Sequence, residues 1–432
     1  MSASDPMQLV QLSNGVAVLT VPLPHARSCA VAVFVRWGSA HESRALSGIG
    51  HVLEHMAFKG TVTRDARRIN LDAERLGAEV NAHTDKDHTA YHMRGLAGHA
   101  PELIGQLADI VRHATLPADE LERERQVLLH EFTEDEDDPL STAFKLFDRA
   151  SFGLHAAAQP VIGTRANIER FTRDDLLGHL ARGYTGCNVV VAAAGGIDVD
   201  AVRRAAEAGF GGMPRGTPNV VAEAAWQGGL RSKAQGGSSQ THLVLGFPLP
   251  TLRARGAADA GSRMAAAVLG EGMSSPLLDE LRERRGLAYY SACSADVLEM
   301  CGQFVVEAST GAASIDELLD ATLRLLVRHA ERIDPEDLER ARHQLAVRAL
   351  RHEEKPLRLL EDAALEWFAL GRVRSAGERA DALAAQDAAA VRGVFERMLA
   401  APPALALAGQ VPRGSRERLQ QVLVRTGFPR GA

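Results

Sequence analysis

The sequence predicts two α+β domains in tandem, on three observations. Strand signals give way to helical stretches in the first half, a glycine- and proline-punctuated stretch interrupts the chain midway, and short motifs of the first half recur in the second. A chain of 432 residues also exceeds what one ordinary hydrophobic core accommodates.

The first half opens with strands expected at 7–12 and 16–21 around Ser13-Asn14-Gly15, a tight hairpin signal. An alternating pattern predicts a third strand at 29–35. Helices are expected at 48–59, stopped by Gly60, and at 66–76, followed by a strand pair at 80–84 and 89–96. Helices at 101–112, 118–134, 140–150 and 173–183, a strand at 188–194 and a helix at 199–208 complete a first domain spanning 1–210. Residues 211–237 contain Gly211-Gly212, Gly216, Pro218, Gly228-Gly229 and Gly236-Gly237, and read as a linker beside one strand. The remainder, 238–432, reads as a diverged copy. Leu121-Glu122-Arg123 follows Asp119-Glu120 just as Leu338-Glu339-Arg340 follows Glu336-Asp337, and Leu76-Gly77-Ala78 resembles Gly286-Leu287-Ala288.

Composition narrows the function classes. Apolar residues make up 46% and charged residues 24%, an ordinary globular balance. A net charge of -6, with Glu280 and Glu283 interleaved among Arg282, Arg284 and Arg285, supplies no basic face, so no nucleic-acid partner is expected. No run approaches the ~20 apolar residues of a membrane span. The opening MSASDPMQLVQLSNG lacks a basic-then-apolar leader pattern, so a cytoplasmic protein without membrane association is expected. Cys29, Cys187, Cys293 and Cys301 form no CxxC pair and read as reduced thiols.

The chemistry concentrates in His51-Val52-Leu53-Glu54-His55. Imidazoles at i and i+4 lie on one helical face, where both reach a single cation. Glu54, immediately before the second histidine, can reach a water on that cation and act as a general base that later protonates a leaving amine. A third ligand must come from elsewhere. The expected 118–134 helix offers Glu124 and Glu131 on one face, with apolar Val127 and Leu128 between them, and a buried glutamate is costly until a partner meets it. Each feature alone has a plainer reading: a solvated helix face for HxxEH, surface charges for Glu124 and Glu131. His83, His88 and His92 alternate with polar residues and read as a solvated or substrate-lining face in preference to a second metal site.

Together these residues resemble the pitrilysin family of zinc peptidases, with its inverted HxxEH motif, and especially mitochondrial processing peptidase and its two-domain bacterial relatives. The resemblance is carried by Gly38-Ser39-Ala40-His41-Glu42, by Gly50 through Thr61 around the motif, by Asn81-Ala82-His83-Thr84, and by Gly272-Met273-Ser274-Ser275 leading to Arg282 and Tyr289. Pro276 departs from the arginine that relatives often carry there.

That resemblance implies two similar domains, each a mixed or antiparallel sheet packed with helices. It implies a zinc metalloendopeptidase acting on extended peptides or unfolded segments. One Zn2+ per chain would be held by His51, His55 and Glu131, with Glu54 as base and Glu124 in support. Arg282 and Tyr289 would hold substrate or stabilise an oxyanion, and Asn81 and Ala82 would lie on a substrate-binding edge. Phe58 would line the pocket beside the zinc or serve as a plain core phenylalanine. The second half has no HxxEH and carries Ala341 and Arg348 where the first carries Glu124 and Glu131, so only the first domain is expected to bind metal. The expected partners are peptide substrates and a second subunit, in a homodimer or a heterodimer with a related chain, whose Arg282 and Tyr289 complete the site. The rival readings are a catalytically silent structural subunit of a peptidase-like complex and a metal hydrolase acting on something other than peptides.

Overall fold

A computed structural model describes residues 7–254 and 257–428. The chain forms two compact units, and neither is contiguous in sequence. The first gathers the chain up to Phe132, Gln159–Val221 and Arg351–Ser375; the second gathers Thr133–Ala158, Ala222–Leu350 and the chain from Ala376 onward.

The first unit is built on a six-stranded sheet of β1 (Gln8–Gln11), β2 (Ala17–Pro22), β3 (Ser28–Val35), β4 (Glu79–Thr84), β5 (Thr89–Leu96) and β6 (Val189–Gly195). Its spatial order is β1-β2-β6-β3-β5-β4, with β2 and β6 parallel and the other neighbours antiparallel. The second unit has β7 (Gly229–Ala234), β8 (Thr241–Pro248), β9 (Tyr290–Val297), β10 (Gly302–Thr310) and β11 (Ala404–Gly409), in the order β7-β11-β8-β10-β9. Here β7 and β11 are the parallel pair. Leaving aside β1, the two sheets match strand for strand, which is the predicted duplication. The helices Ala118–Asp137 and Pro335–Glu353 carry it down to single positions: Leu121, Glu124 and Leu128 are buried in one, Leu338, Ala341 and Leu345 in the other. The first-half elements lie within three residues of their expected bounds, and a short helix, Arg165–Arg170, was not anticipated.

The expected domain limits at 210 and 238 assume contiguous domains, and the structure differs for a reason visible in the sheets. β3 and β6 are buried along almost their whole length, not on alternate residues. One face, with Val31, Val33, Val189 and Val191, packs into a core that includes Ile49, Val52 and Leu53. The other face, with Ala30, Ala32, Phe34, Ala192 and Ala194, packs against Leu360, Ala363, Ala364 and Phe368 of the helix Pro356–Leu370. In the second unit the helix Pro139–Phe152 does the same work, seating Ala143, Phe147 and Ala150 on Val244, Ala404, Ala406 and Ala408. Each unit thus takes a covering helix from the other's stretch of chain. A strand covered on both faces reads as a continuous apolar run. β7, inside the expected linker, is an edge strand of the second sheet.

Cys29 and Cys301 are buried. Among the described residues, no helix is long and apolar enough to cross a membrane.

Gly246 in β8 tests the covering helix. A Cβ there would sit 2.5 Å from Phe147 Cζ and 2.6 Å from the Phe304 carbonyl oxygen. Gly246→Ala should therefore destabilise by about 1–3 kcal/mol, read as a lowered thermal midpoint. Combined with Phe147→Leu, the loss should be smaller than the sum of the two single losses, because the added methyl enters the space that the ring vacates.

Candidate active site

The helix Ile49–Ala57 begins at Gly48, whose φ of 95° lies in the left-handed region and whose added Cβ would fall 2.7 Å from Gly163 Cα. Its first N–H groups have no partners within the helix. Buried Glu42 meets them: Gly48 N–H donates to Oε2 at 2.7 Å and Gly50 N–H to Oε1 at 2.8 Å. Burial nonetheless pushes the Glu42 carboxyl up to about 8, against the pull of those two donors. Ile49, Val52, Leu53 and Met56 form the buried stripe, which turns His51 and His55 toward the acidic helix Ala118–Asp137 and Glu54 toward β4.

Glu131 faces both histidines, with Oε1 3.4 Å from His51 Nε2 and Oε2 3.5 Å from His55 Nε2. These three residues form one of two groups among the described residues whose ligand atoms converge as a metal site requires. The two imidazole rings are 4.7 Å apart and nearly perpendicular. The hydrogen bond with His51 holds Glu131 below the ordinary carboxylate range, against the opposing effect of burial. Glu124 lies behind His55, its Oε1 3.0 Å from Nδ1, while Lys59 Nζ reaches its other oxygen at 2.5 Å. Burial works against the Glu124 charge, but Lys59 and His55 together keep it below the ordinary range. A carboxylate can only accept, so His55 Nδ1–H donates to Glu124, and Nε2 is the ring nitrogen left facing Glu131 and the cluster.

Glu54 is held from the other side, where Thr84 Oγ1–H donates to its Oε2 at 2.7 Å. β4 is the edge of its sheet, so one side of its main chain is left without a strand partner. Asn81 is exposed on this edge and accepts the Ala82 N–H on its side-chain oxygen at 2.8 Å. Ala82 and Val80 turn inward onto the first core. Phe58 also packs on that core, 6.2 Å from the Tyr91 ring, so packing accounts for its position. Arg282 and Tyr289 belong to the second unit and pair with each other, the guanidinium 5.1 Å over the ring. Tyr289 is 80% exposed.

The expectation of a solvated or substrate-lining face for His83, His88 and His92 is corrected at His88, which is 1% exposed. The helix Pro356–Leu370 covers that face of the sheet and brings Glu361 to His83 and His88. No residue near the β4–β5 turn announces Glu361, which lies far along the chain. Glu42, Lys59 and Thr84 fall inside the segments that carried the resemblance, yet their roles as helix cap, carboxylate anchor and Glu54 partner become visible only as contacts.

Comparison with known proteins identifies the family and the fold. Residues 17–165 match the family described as insulinase, peptidase family M16, and residues 170–345 match the peptidase M16 inactive domain. A protein of Rickettsia bellii named an uncharacterized zinc protease is 31% identical over 375 residues, covering 85% of this chain and 89% of its own. A Bacillus subtilis protein of like name is 33% identical over 343 residues, covering 77% of this chain and 81% of its own. The crystal structure of a protease from Helicobacter pylori superposes with a TM-score of 0.85 at 20% identity, spanning 94% of this chain and 100% of that one, and shows the shared fold. This chain belongs to peptidase family M16, the insulinase or pitrilysin family.

Proposed function

We propose that the chain is a zinc metalloendopeptidase that cleaves extended peptides or unfolded segments, with its metal held by His51, His55 and Glu131. The observation that carries this reading is the convergence of two imidazole nitrogens and a carboxylate beside a glutamate that is itself held in place. The donor set suits zinc. Tetrahedral zinc with bonds of ~2.0–2.1 Å sets its ligand atoms about 3.3–3.4 Å apart, close to the separations here.

Zinc bound at these residues would supply Lewis acidity, polarising a scissile carbonyl and acidifying a water. The chain's own residues would do the rest. Glu54 takes a proton from the attacking water on Oε1 and passes it to the leaving amine nitrogen, while Thr84 steadies Oε2. Glu124, anchored by Lys59, fixes the His55 tautomer through Nδ1. The open edge of β4 at Asn81 and Ala82 offers main-chain groups with which an extended peptide can pair. Exposed Tyr289 and half-buried Arg282 offer donors for a carbonyl oxygen whose charge grows during the reaction. Following the family resemblance, we place them at the zinc of a partner subunit in a closed two-fold dimer.

A catalytically silent subunit is the second reading, since the second half matches a domain described as inactive. That half has no counterpart of the donor set, whereas the first half retains every member of it, which favours an enzyme.

His55→Ala should lose the zinc bound at this site, measured by elemental analysis after dialysis. Glu54→Gln should keep that zinc and lower kcat by ~10²–10⁴-fold on quenched peptides, because it removes a base and no ligand. Near-normal turnover in Glu54→Gln would remove Glu54 from the mechanism.

Mixing Glu54→Gln and Tyr289→Phe subunits, each weakly active alone, should restore part of the activity once subunits exchange. One site in each mixed dimer then has both residues intact. Mixed dimers that remain inactive would show that the site is not shared between subunits in this way.

A further inference from the structure

We infer that the chain holds a second zinc site, formed by His83, His88 and Glu361 on the opposite face of β4 from Glu54. This goes beyond the peptidase reading and does not depend on it.

Three ligand atoms meet there. His83 Nε2 lies 3.3 Å from His88 Nε2 and 3.2 Å from Glu361 Oε1, and His88 Nε2 lies 3.3 Å from the same oxygen. The triangle is nearly equilateral, and its sides match the ligand separations of about 3.3–3.4 Å set by tetrahedral zinc. Hydrogen bonding alone does not call for this shape. Two imidazole nitrogens that face one carboxylate oxygen and also each other share at most a proton or two, and a cation satisfies all three lone pairs at once.

The surroundings are those of a metal centre. Asp87 Oδ1 is 2.8 Å from His88 Nδ1, the carboxylate partner that orients a ligating histidine and turns its Nε2 lone pair to the metal. Arg358 Nη1 takes Glu361 Oε2 at 3.1 Å, which leaves Oε1 for the cluster. His88 is buried and Glu361 is partly so, while the His83 side chain is 37% exposed and gives solvent a route to a fourth position. Two imidazoles and a carboxylate favour zinc over calcium or magnesium, which prefer all-oxygen ligation.

The topology assigns the site a structural role. His83 is on β4 and His88 closes the β4–β5 turn, whereas Glu361 is on the covering helix Pro356–Leu370. The ion clamps that helix to the edge strand. β4 alternates faces, so clamping it at His83 also steadies Thr84, which on the other face holds Glu54.

The test counts zinc in the full-length chain. With the first site disabled by His55→Ala, the chain should still bind about one zinc after equilibrium dialysis, against about two in the unaltered chain. Adding Glu361→Gln, which keeps shape and removes charge, should weaken the remaining zinc at least tenfold. Exposed His83→Ala should do the same and guards against a folding defect in the Gln variant. Cobalt substituted into the His55→Ala chain should show the visible absorption bands of a tetrahedral site, absent from the double variant. Zinc should raise the thermal midpoint of His55→Ala and leave that of His55→Ala/Glu361→Gln unchanged. No zinc in folded His55→Ala, or zinc undiminished by both Glu361→Gln and His83→Ala, overturns the second site. Failure of the first site would appear instead as zinc retained in full by His55→Ala.

Discussion

The constraint on which the structure depends is that each sheet is apolar on both faces. Strands such as β3 and β6, rich in valine and alanine, would leave one greasy surface in water if helices covered only one side. The chain meets this with helices drawn from distant segments. Pro356–Leu370 seals the first sheet and Pro139–Phe152 seals the second. The alanines on the sealed faces and Gly246 beneath Phe147 are small because helix and sheet must approach closely there.

That same constraint shapes the chemistry. The HxxEH helix is one of the covering elements, and its apolar stripe spends its buried face on the sheet core, leaving the histidines to meet the acidic helix. Charges at this boundary are not left to themselves. Glu124 is only tolerable near the core because Lys59 neutralises it and His55 hydrogen-bonds to it, and Glu131 faces two imidazoles. β4 is a single strand thick, so the Glu54–Thr84 contact on one face and the His83–Glu361 contact on the other are mechanically joined.

The duplicated fold shows what was retained and what was dropped. Both units keep the sheet order and the buried leucines of the long acidic-start helix, because packing requires them. Ala341 occupies the place of Glu124 and Arg348 that of Glu131, and Arg348 pairs with Glu271. With no histidine pair to approach, nothing in the second unit demands a carboxylate at either position.

Most of the element order and the HxxEH centre were legible in the sequence. Helical periodicity, hairpin chemistry and i, i+4 histidines are local signals, and a glutamate on the same face of a neighbouring helix is one step removed. The sequence alone therefore determined the two-domain α+β plan, the peptidase family and the grouping of His51, His55 and Glu131. Only the tertiary structure decided which helix covers which sheet, because one apolar helix satisfies an apolar face as well as another until the chain path selects between them. It likewise decided that Thr84 holds Glu54, that Glu42 caps the motif helix, and that Glu361 meets His83 and His88. Those contacts join residues with no periodic relation, and distance along the chain carries no record of a contact made across a sheet.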